Sequence, residues 1–122
     1  MDKAQAIHKL WSSFGLVAYD QNTVPEDAQM PYITYNVITG SLDDVVAISG
    51  SLWYHSASWE EISKKADEIA AVIGGHGYYI DKVDGGYMWV TKGRPFAQRM
   101  NDANDMVRRI YIVLNAEFLT AY

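Results

Sequence analysis

Cysteine is absent from this chain of 122 residues, and histidine occurs only at His8, His55 and His76. The lack of cysteine excludes disulfide bonds, thiolate metal sites and cysteine nucleophiles. No two histidines have the i, i+4 spacing that helical zinc sites use, and no carboxylate completes a local motif with them. We therefore predict no metal site and no thiol chemistry.

Positive charge is also scarce. Ten Lys and Arg residues stand against fifteen Asp and Glu residues, so the net charge is -5. An acidic balance argues against broad, non-specific wrapping of nucleic acid, which depends on neutralising phosphates. No apolar run approaches the roughly 20 residues of a membrane span, and residues 1–5 lack the apolar core of a signal peptide. These features predict a soluble, non-exported protein with no membrane partner.

The chain nonetheless has enough apolar material for one core, because hydrophobic residues make up 49% of it and aromatic residues 13%. A chain of this length has the size of one ordinary domain, and it buries roughly two thirds of the surface that it would expose when unfolded. We expect residues 1–122 to form a single domain.

Motifs for catalysis or cofactor binding are missing as well. The segment Gly-Gly-His-Gly at residues 74–77 follows a predicted helix and precedes a predicted strand, the reverse of a phosphate-binding loop. Glu60 and Glu61 are adjacent on a predicted helix and point apart. No Gly-x-Ser-x-Gly motif is present. We expect a protein that is not an enzyme and that needs no cofactor.

The first half of the sequence predicts one helix and one hairpin. Apolar residues at helical spacing run along Asp2–Phe14, and Gly15 ends this helix. Asp20–Met30 is polar and without periodicity, so we predict a loop there. Tyr32–Thr39 and Val45–Tyr54 are rich in β-branched and aromatic residues, and the short turn between them makes a hairpin.

A second helix is predicted to begin after Ser58. Ser58 and Glu61 have the spacing of a capping box, in which each side chain accepts a hydrogen bond from the other residue's backbone amide. Isoleucine and alanine residues then repeat on one face of the helix, and Gly74 and Gly75 end it.

Three strands complete the predicted fold. Tyr78–Val83 and Tyr87–Lys92 flank an Asp-Gly-Gly turn and form a second hairpin. Gly93–Asn104 is predicted to be a long loop, and a last strand covers about Met106–Phe118, where only Arg108 interrupts the apolar face. The order is α-β-β-α-β-β-β. Because hairpins outnumber crossovers, we predict an α+β fold of two layers, a mainly antiparallel sheet with both helices on one face.

Aromatic residues exceed what one small core needs, with nine tyrosines and four tryptophans. Those that alternate along the predicted strands are Trp53, Tyr54, Tyr78, Tyr79, Tyr87, Trp89 and Tyr111. Some of them must point away from the helices, and an aromatic second face suggests contact with a partner, because Tyr and Trp are enriched in interface hot spots. The alternative is that aromatic residues favour strands and pair across them.

The predicted loop Gly93–Asn104 is a second candidate for an interface, since loops this long in small domains are uncommon. It carries residue types that interfaces prefer: Arg94, Phe96, Arg99 and Met100. With Tyr111 of the last strand, these are the predicted interface residues. One hypothesis is a docking arm that becomes ordered on an acidic partner. The other is a hairpin loop folded back on its own sheet.

Several segments follow one another in a distinctive order. An N-terminal helix and a polar loop precede Met-Pro-Tyr-Ile-Thr-Tyr at residues 30–35, which opens the first predicted strand. A helix beginning Ser-Trp-Glu-Glu at residues 58–61 and a Tyr-rich hairpin come next, and a long loop then leads into Arg-Arg-Ile-Tyr-Ile at residues 108–112. Over most of the chain, this order resembles the small tail terminator and tail-completion (neck) proteins of long-tailed bacteriophages.

The resemblance implies a structural protein of virion assembly that forms a ring, commonly a hexamer, capping the tail tube and joining it to the head and neck. The partners it implies are further copies of the chain, the major tail tube protein and a head-completion or neck protein. DNA would pass through the ring without sequence-specific binding. The implied location is the virion tail or neck, and the host cytoplasm during assembly. No catalytic, metal-binding or cofactor-binding residue is carried over from the family.

Two other hypotheses remain open at this point. One is a neighbouring neck component, either a head-completion or a minor capsid protein. The other is a small-molecule-binding or catalytic α+β domain whose aromatic face forms a pocket. The state of association separates them, because a pocket protein would stay monomeric or dimeric whereas a terminator forms rings.

Overall fold

The structure, a computed structural model, describes residues 1–37 and 45–121. These residues form the elements α1 (Lys3–Ser12), β1 (Val17–Asp20), β2 (Tyr32–Tyr35), β3 (Val46–His55), α2 (Glu60–Ile73), β4 (Tyr78–Val83), β5 (Gly86–Met100) and β6 (Val107–Leu119). The strands make one sheet in the order β1-β2-β3-β6-β5-β4, antiparallel except for the pair β1 and β2. The predicted α+β fold is confirmed. The predicted turn at residues 40–44 lies outside the described residues.

The core lies between the helices and one side of the sheet, which we call the inner face. Every second residue of the central strands points into it, as Ile48 and Leu52 do on β3 and Ile112 and Leu114 do on β6. Both helices contribute buried stripes to the same cluster of apolar side chains. Because α1 contacts both edge strands, β1 and β4, the sheet must curl around this helix. Neither helix of the described residues is long and apolar enough to cross a membrane.

Trp11 is the largest side chain of this core. It is fully buried, and its ring meets Phe14 edge-on with 5.9 Å between the ring centroids. Gly50 of β3 leaves the space that the indole occupies, since a Cβ at this position would lie 3.0 Å from two atoms of the Trp11 ring. The indole Nε1 of Trp11 is buried and has no hydrogen-bond partner within the described ranges. Trp11 is therefore held by packing, including that against the backbone of Gly50, and not by a hydrogen bond of its indole.

A capping box does form in this protein, but on the first helix. The Gln5 amide donates to Oδ1 of Asp2 at 2.8 Å, and the Asp2 amide donates to Oε1 of Gln5 at 2.9 Å. The second helix begins at Glu60 with Trp59 at its N-cap, one residue later than predicted. Ser58 Oγ accepts a hydrogen bond from the Glu60 amide at 3.1 Å, but the described hydrogen bonds include no reciprocal one from Glu61. The predicted capping box at residues 58–61 is therefore wrong.

These caps predict a difference in stability between two variants. Asp2→Ala is expected to lower the free energy of unfolding by about 1 kcal/mol, because the Gln5 amide loses its acceptor at the positive end of α1. Ser58→Ala should lower it by only about 0.5 kcal/mol, the low end for a capping side chain. Urea midpoints of both variants and of Asp2→Asn, which keeps the acceptor, measure the difference. A larger loss in Ser58→Ala than in Asp2→Ala would contradict the caps assigned here.

Strand β1 was not predicted. It has four residues, Val17–Asp20, too few to show a period of two, and it pairs in parallel with β2 from Val17 opposite Tyr32 to Asp20 opposite Tyr35. Residues 21–31 cross over between the two strands, and they form the polar loop that the sequence predicted. The loop therefore runs from the end of the edge strand β1 back to the start of β2.

The hairpin of β4 and β5 is confirmed. Asp84 and Gly85 form its two-residue turn with φ values of 44° and 79°. Left-handed backbone at both positions is what a tight hairpin turn needs to follow the twist of its strands, and Asp-Gly is a favoured pair for it. The backbone of Met1 bonds to Lys82 and Asp84 beside this turn, so the start of α1 is tied to the β4 edge.

The predicted loop Gly93–Asn104 is wrong. Strand β5 continues to Met100 and pairs with β6 on both sides of a bulge, from Lys92 opposite Leu114 to Ala97 opposite Ile112. Glycine, proline and arginine have little preference for strands, and this lowers the signal in the sequence. The alternating partner β6 supplies a template for pairing, and Pro95 falls in the bulge, where no paired position needs its missing amide. Only residues 101–106 connect the two strands.

Candidate functional site

The side of the sheet away from the helices, which we call the outer face, carries a row of aromatic residues. Its members are Tyr19, Tyr32, Trp53, Tyr79, Tyr87, Trp89 and Tyr111. Of the seven aromatic residues singled out in the sequence, Tyr54 and Tyr78 instead occupy inner-face positions, opposite Arg108 and Val90. The expectation of an aromatic second face is thus met at five positions. No helix of the described residues covers it.

At one end of the outer face, polar contacts hold Trp53 and Arg109 in fixed positions. The Trp53 Nε1 donates to Thr34 Oγ1 at 2.8 Å. The Arg109 guanidinium lies 4.8 Å from the centroid of the Trp53 ring, and its Nε donates to Ser51 Oγ at 3.0 Å. A guanidinium stacked on a ring keeps its outward N–H groups free for a carboxylate or a phosphate.

At the β4 edge of the outer face, three rings form a second group. Tyr79 stacks on Trp89 with 6.1 Å between centroids and 12° between planes, and it also contacts Tyr87. Trp89 Nε1 donates to the His76 carbonyl at 3.1 Å. Tyr79 is 54% exposed, high for an aromatic side chain on a strand. This end of the face presents ordered, solvent-accessible aromatic surface of the kind that binds other proteins.

A third feature lies at the start of α2, where two guanidiniums contact one indole. We call Trp59, Arg99 and Arg108 the Arg–Trp cluster. The Arg99 guanidinium is 4.8 Å and that of Arg108 5.3 Å from the centroid of the Trp59 ring. Arg108 also donates to the carbonyls of Ala57, Asp105 and Val107, so it is tightly anchored. Arg99 is exposed.

The basic residues of β5 and β6 form no ion pair with any described acidic residue. Within residues 1–37 and 45–121, the ion pair closer than 4.0 Å is Lys65 with Glu68 on α2. All four arginines and Lys92 lie in residues 86–122, where five basic residues against three acidic ones give a net charge of +2. In residues 1–85, five lysines against twelve acidic residues give a net charge of -7. The charge of the chain is therefore strongly segregated.

The structure separates the five predicted interface residues. Tyr111 and Met100 occupy outer-face positions, opposite Gln98 and Arg109. Arg99 belongs to the Arg–Trp cluster. Arg94 is exposed at the bulge of β5 and lines an open cleft of about 530 Å³ beside the end of α2. Phe96 also lines this cleft but packs partly against the core. Because all but Tyr111 lie on β5 itself, they do not form a detached docking arm.

Sequence reasoning missed the role of Trp59, which it took only as a position near a helix start. The pairing of β5 with β6 brings Arg99 and Arg108 to Trp59. Because these residues are far apart in the sequence, no local spacing of residues predicts the contact. One signal could have pointed to it. All four arginines of the chain fall between residues 94 and 109, and arginine is the basic residue that stacks on aromatic rings most readily.

Sequence reasoning also missed a hydrogen-bonded chain of side chains on α1 and β2. His8 Nδ1 lies 2.7 Å from the Tyr35 hydroxyl, and His8 Nε2 lies 3.2 Å from Ser12 Oγ. The i, i+4 spacing of His8 and Ser12 could have predicted the second contact. In a serine hydrolase the third member is a carboxylate that stabilises the charged imidazole, whereas here it is a phenol. We assign this chain to the attachment of α1 to β2.

Three ionisable groups among the described residues have shifted pKa values. Burial raises the pKa of the Tyr35 phenol, and the charge of Asp20 raises it further. Burial also raises the pKa of Tyr54, with Glu61 and Glu68 adding to the effect. The hydrogen bond from Lys65 lowers the pKa of Glu68. Both phenols therefore stay protonated at neutral pH. No group of three or more His, Asp or Glu side chains suited to a metal ion occurs among the described residues.

Comparison with known proteins adds a likeness in fold. No protein-family model matches the chain, and no curated protein matches it. Its fold is similar to that of a chain in a solved structure of the virion of a native gene transfer agent (GTA) particle, with a TM-score of 0.57. The two chains are 18% identical, and the alignment covers 93% of this chain and 92% of the other. This chain therefore shares its fold, along nearly its whole length, with a chain of that particle.

Proposed function

We propose that this chain is a structural protein of a phage-like particle and, within that class, a ring-forming tail terminator that caps the tail tube and joins it to the neck. The observation that carries the proposal is the fold shared with a chain of a gene transfer agent virion over 93% of this chain. Since a fold alone does not determine a function, the exposed surfaces have to support the rest of the argument.

The outer face is suited to assembly. Monomeric proteins rarely expose large contiguous apolar patches, and aromatic residues with arginine dominate the energetics of protein interfaces. Here the stacked rings of Tyr79 and Trp89 are accessible, and Arg109 is already fixed on Trp53. Side chains ordered before binding lose little conformational entropy on contact. This face is the surface we propose for contact with the tail tube protein.

The segregation of charge suits a ring. A head-to-tail contact needs two different, complementary surfaces on each copy, and it closes into a ring when the rotation allows. The net charges of -7 in residues 1–85 and +2 in residues 86–122 provide opposite signs for such a contact. We propose six copies per ring, with the tail tube on one side and a head-completion protein on the other. The overall charge of -5 suits passage of DNA without adhesion.

Native mass spectrometry and electron microscopy test the proposal on the purified protein, alone and with tail tubes assembled from the tube protein of the same genome. We expect hexameric rings that bind one end of each tube. Tyr79→Arg should reduce tube binding by at least tenfold, because it removes an exposed aromatic contact. Val72→Arg is the matched control, since Val72 is 47% exposed on α2, away from the outer face.

Other outcomes would contradict the proposal. Oligomers that bind heads but never tubes would favour the neighbouring neck component instead. A monomer or dimer that binds neither would favour a pocket protein.

A further inference from the structure

We propose that the Arg–Trp cluster of one copy binds the exposed acidic loop between β1 and β2 of the next copy, through Glu26 and Asp27. The inference rests on the proposed ring and names the two surfaces that would form its contact. It places the positive half of the contact at the β5 side of the sheet and the negative half at the β1 side.

The positive half is ready for a carboxylate. Arg99 is exposed, is stacked on Trp59 and has no acidic partner within 4.0 Å among the described residues. A guanidinium offers paired N–H groups that match the two oxygens of a carboxylate. Arg108 adds a second positive charge on the same ring. Asp67 lines the shallow cleft beside Arg99 but forms no ion pair with it.

The negative half has no basic residue near it in the sequence. No Lys or Arg occurs between Lys9 and Lys64. Glu26 and Asp27 follow Pro25 in the crossover loop, and both are exposed, with no ion pair to any described residue. Two adjacent carboxylates on an exposed loop present the negative charge that complements the Arg–Trp cluster.

Within one copy the two halves lie on different strands and do not pair. Three strands, β2, β3 and β6, separate β1 from β5 in the sheet, and no ion pair joins Glu26 or Asp27 to Arg99 among the described residues. The acidic residues Glu60 and Glu61 lie beside the cluster, at the start of the same helix. Their position would suit a two-fold contact, whereas the β1–β2 loop, which belongs to other strands than the cluster, suits a head-to-tail contact that repeats around a ring.

Charge reversal tests this contact by analytical ultracentrifugation in low salt. Arg99→Glu alone, and Glu26→Lys with Asp27→Lys, should each weaken self-association by at least tenfold, because each places like charges opposite one another. An equimolar mixture of the two variant proteins should assemble again, since each supplies the surface that the other has lost. Lys9→Glu on α1 is the matched control, because it removes the same positive charge elsewhere.

Several results would overturn the inference. It fails if the mixture does not assemble, if the wild type stays monomeric at low salt, or if the control loses association equally. It also fails if Arg99→Glu leaves association intact but abolishes salt-dependent binding of duplex DNA, which would assign the cluster to nucleic acid. Thermal unfolding of each variant, together with the milder Arg99→Gln, separates lost contact from lost folding. Tube binding tests the proposed function independently, so rings that ignore these charges would leave that function standing.

Discussion

Replacing Trp11 by alanine is expected to lower the free energy of unfolding by about 3–5 kcal/mol, the range for a fully buried aromatic side chain. Trp11 lies where α1, β3 and the Phe14 ring meet, and none of its surface is exposed. The bare backbone at Gly50 cannot collapse into the cavity, because it has no side chain to move. Urea unfolding followed by circular dichroism measures the loss.

Two further substitutions test the contact between Trp11 and Gly50. Gly50→Ala is expected to destabilise the protein by about 1–3 kcal/mol, since its Cβ would press on the indole and on the Thr34 carbonyl, each 3.0 Å away. Trp11→Phe shortens the ring and removes the unpaired indole N–H. The two changes together should therefore cost less than the sum of their separate costs. Strict additivity would show that Gly50 is not what accommodates Trp11.

Gly77→Ala is expected to lower stability by about 2–4 kcal/mol and to disturb the outer face as well. Gly77 has a φ of +90°, which strains any other residue, and an added Cβ would lie 2.0 Å from Trp89 Nε1. The indole would have to leave, giving up its hydrogen bond to His76 and its stacking on Tyr79. Near-UV circular dichroism should report the disturbed aromatic packing.

Gly75→Ala is the matched control, two residues away. Its Cβ would meet nothing within 4 Å, and its φ lies outside the left-handed region. We expect a change within about 0.5 kcal/mol. If both alanine variants behaved alike, the close approach of the backbone at Gly77 to the Trp89 ring would be disproved. If only Gly77→Ala also lost tube binding, the Tyr79–Trp89 group would be linked to assembly.

The sequence predicted the fold class because its strongest signals are local. The stripe of α1, the turn at Asp84 and Gly85 and the alternation of β6 each arise within a few residues, and all three are present. The predictions failed where pairing with another strand determines whether a segment becomes a strand. The four residues of β1 become a strand only beside β2, and Gly93–Met100 becomes a strand only because β6 offers a complete partner.

In the candidate site, too, local features could be predicted from the sequence and contacts between distant residues could not. The period of two predicted that some of the strand aromatic residues point away from the helices, and Tyr79, Trp89 and Tyr111 do so, because alternation needs no knowledge of the partner strand. The Arg–Trp cluster joins residues 40 to 49 positions apart, and its geometry depends on the register of β5 with β6. Phe96 is one of the predicted interface residues, yet it follows the bulge of β5 and packs partly against the core.

The position of β6 has a consequence for synthesis in the cell. It is the last strand to leave the ribosome, yet it lies in the middle of the sheet, between β3 and β5. Until β6 is made, the unit β1-β2-β3 and the hairpin of β4 and β5 have no shared strand. At roughly 5–20 residues per second, most of the chain waits several seconds for its central strand. Nascent chains on one messenger therefore present no finished outer face to each other, and any contact made through this face can begin only after β6 has been synthesised.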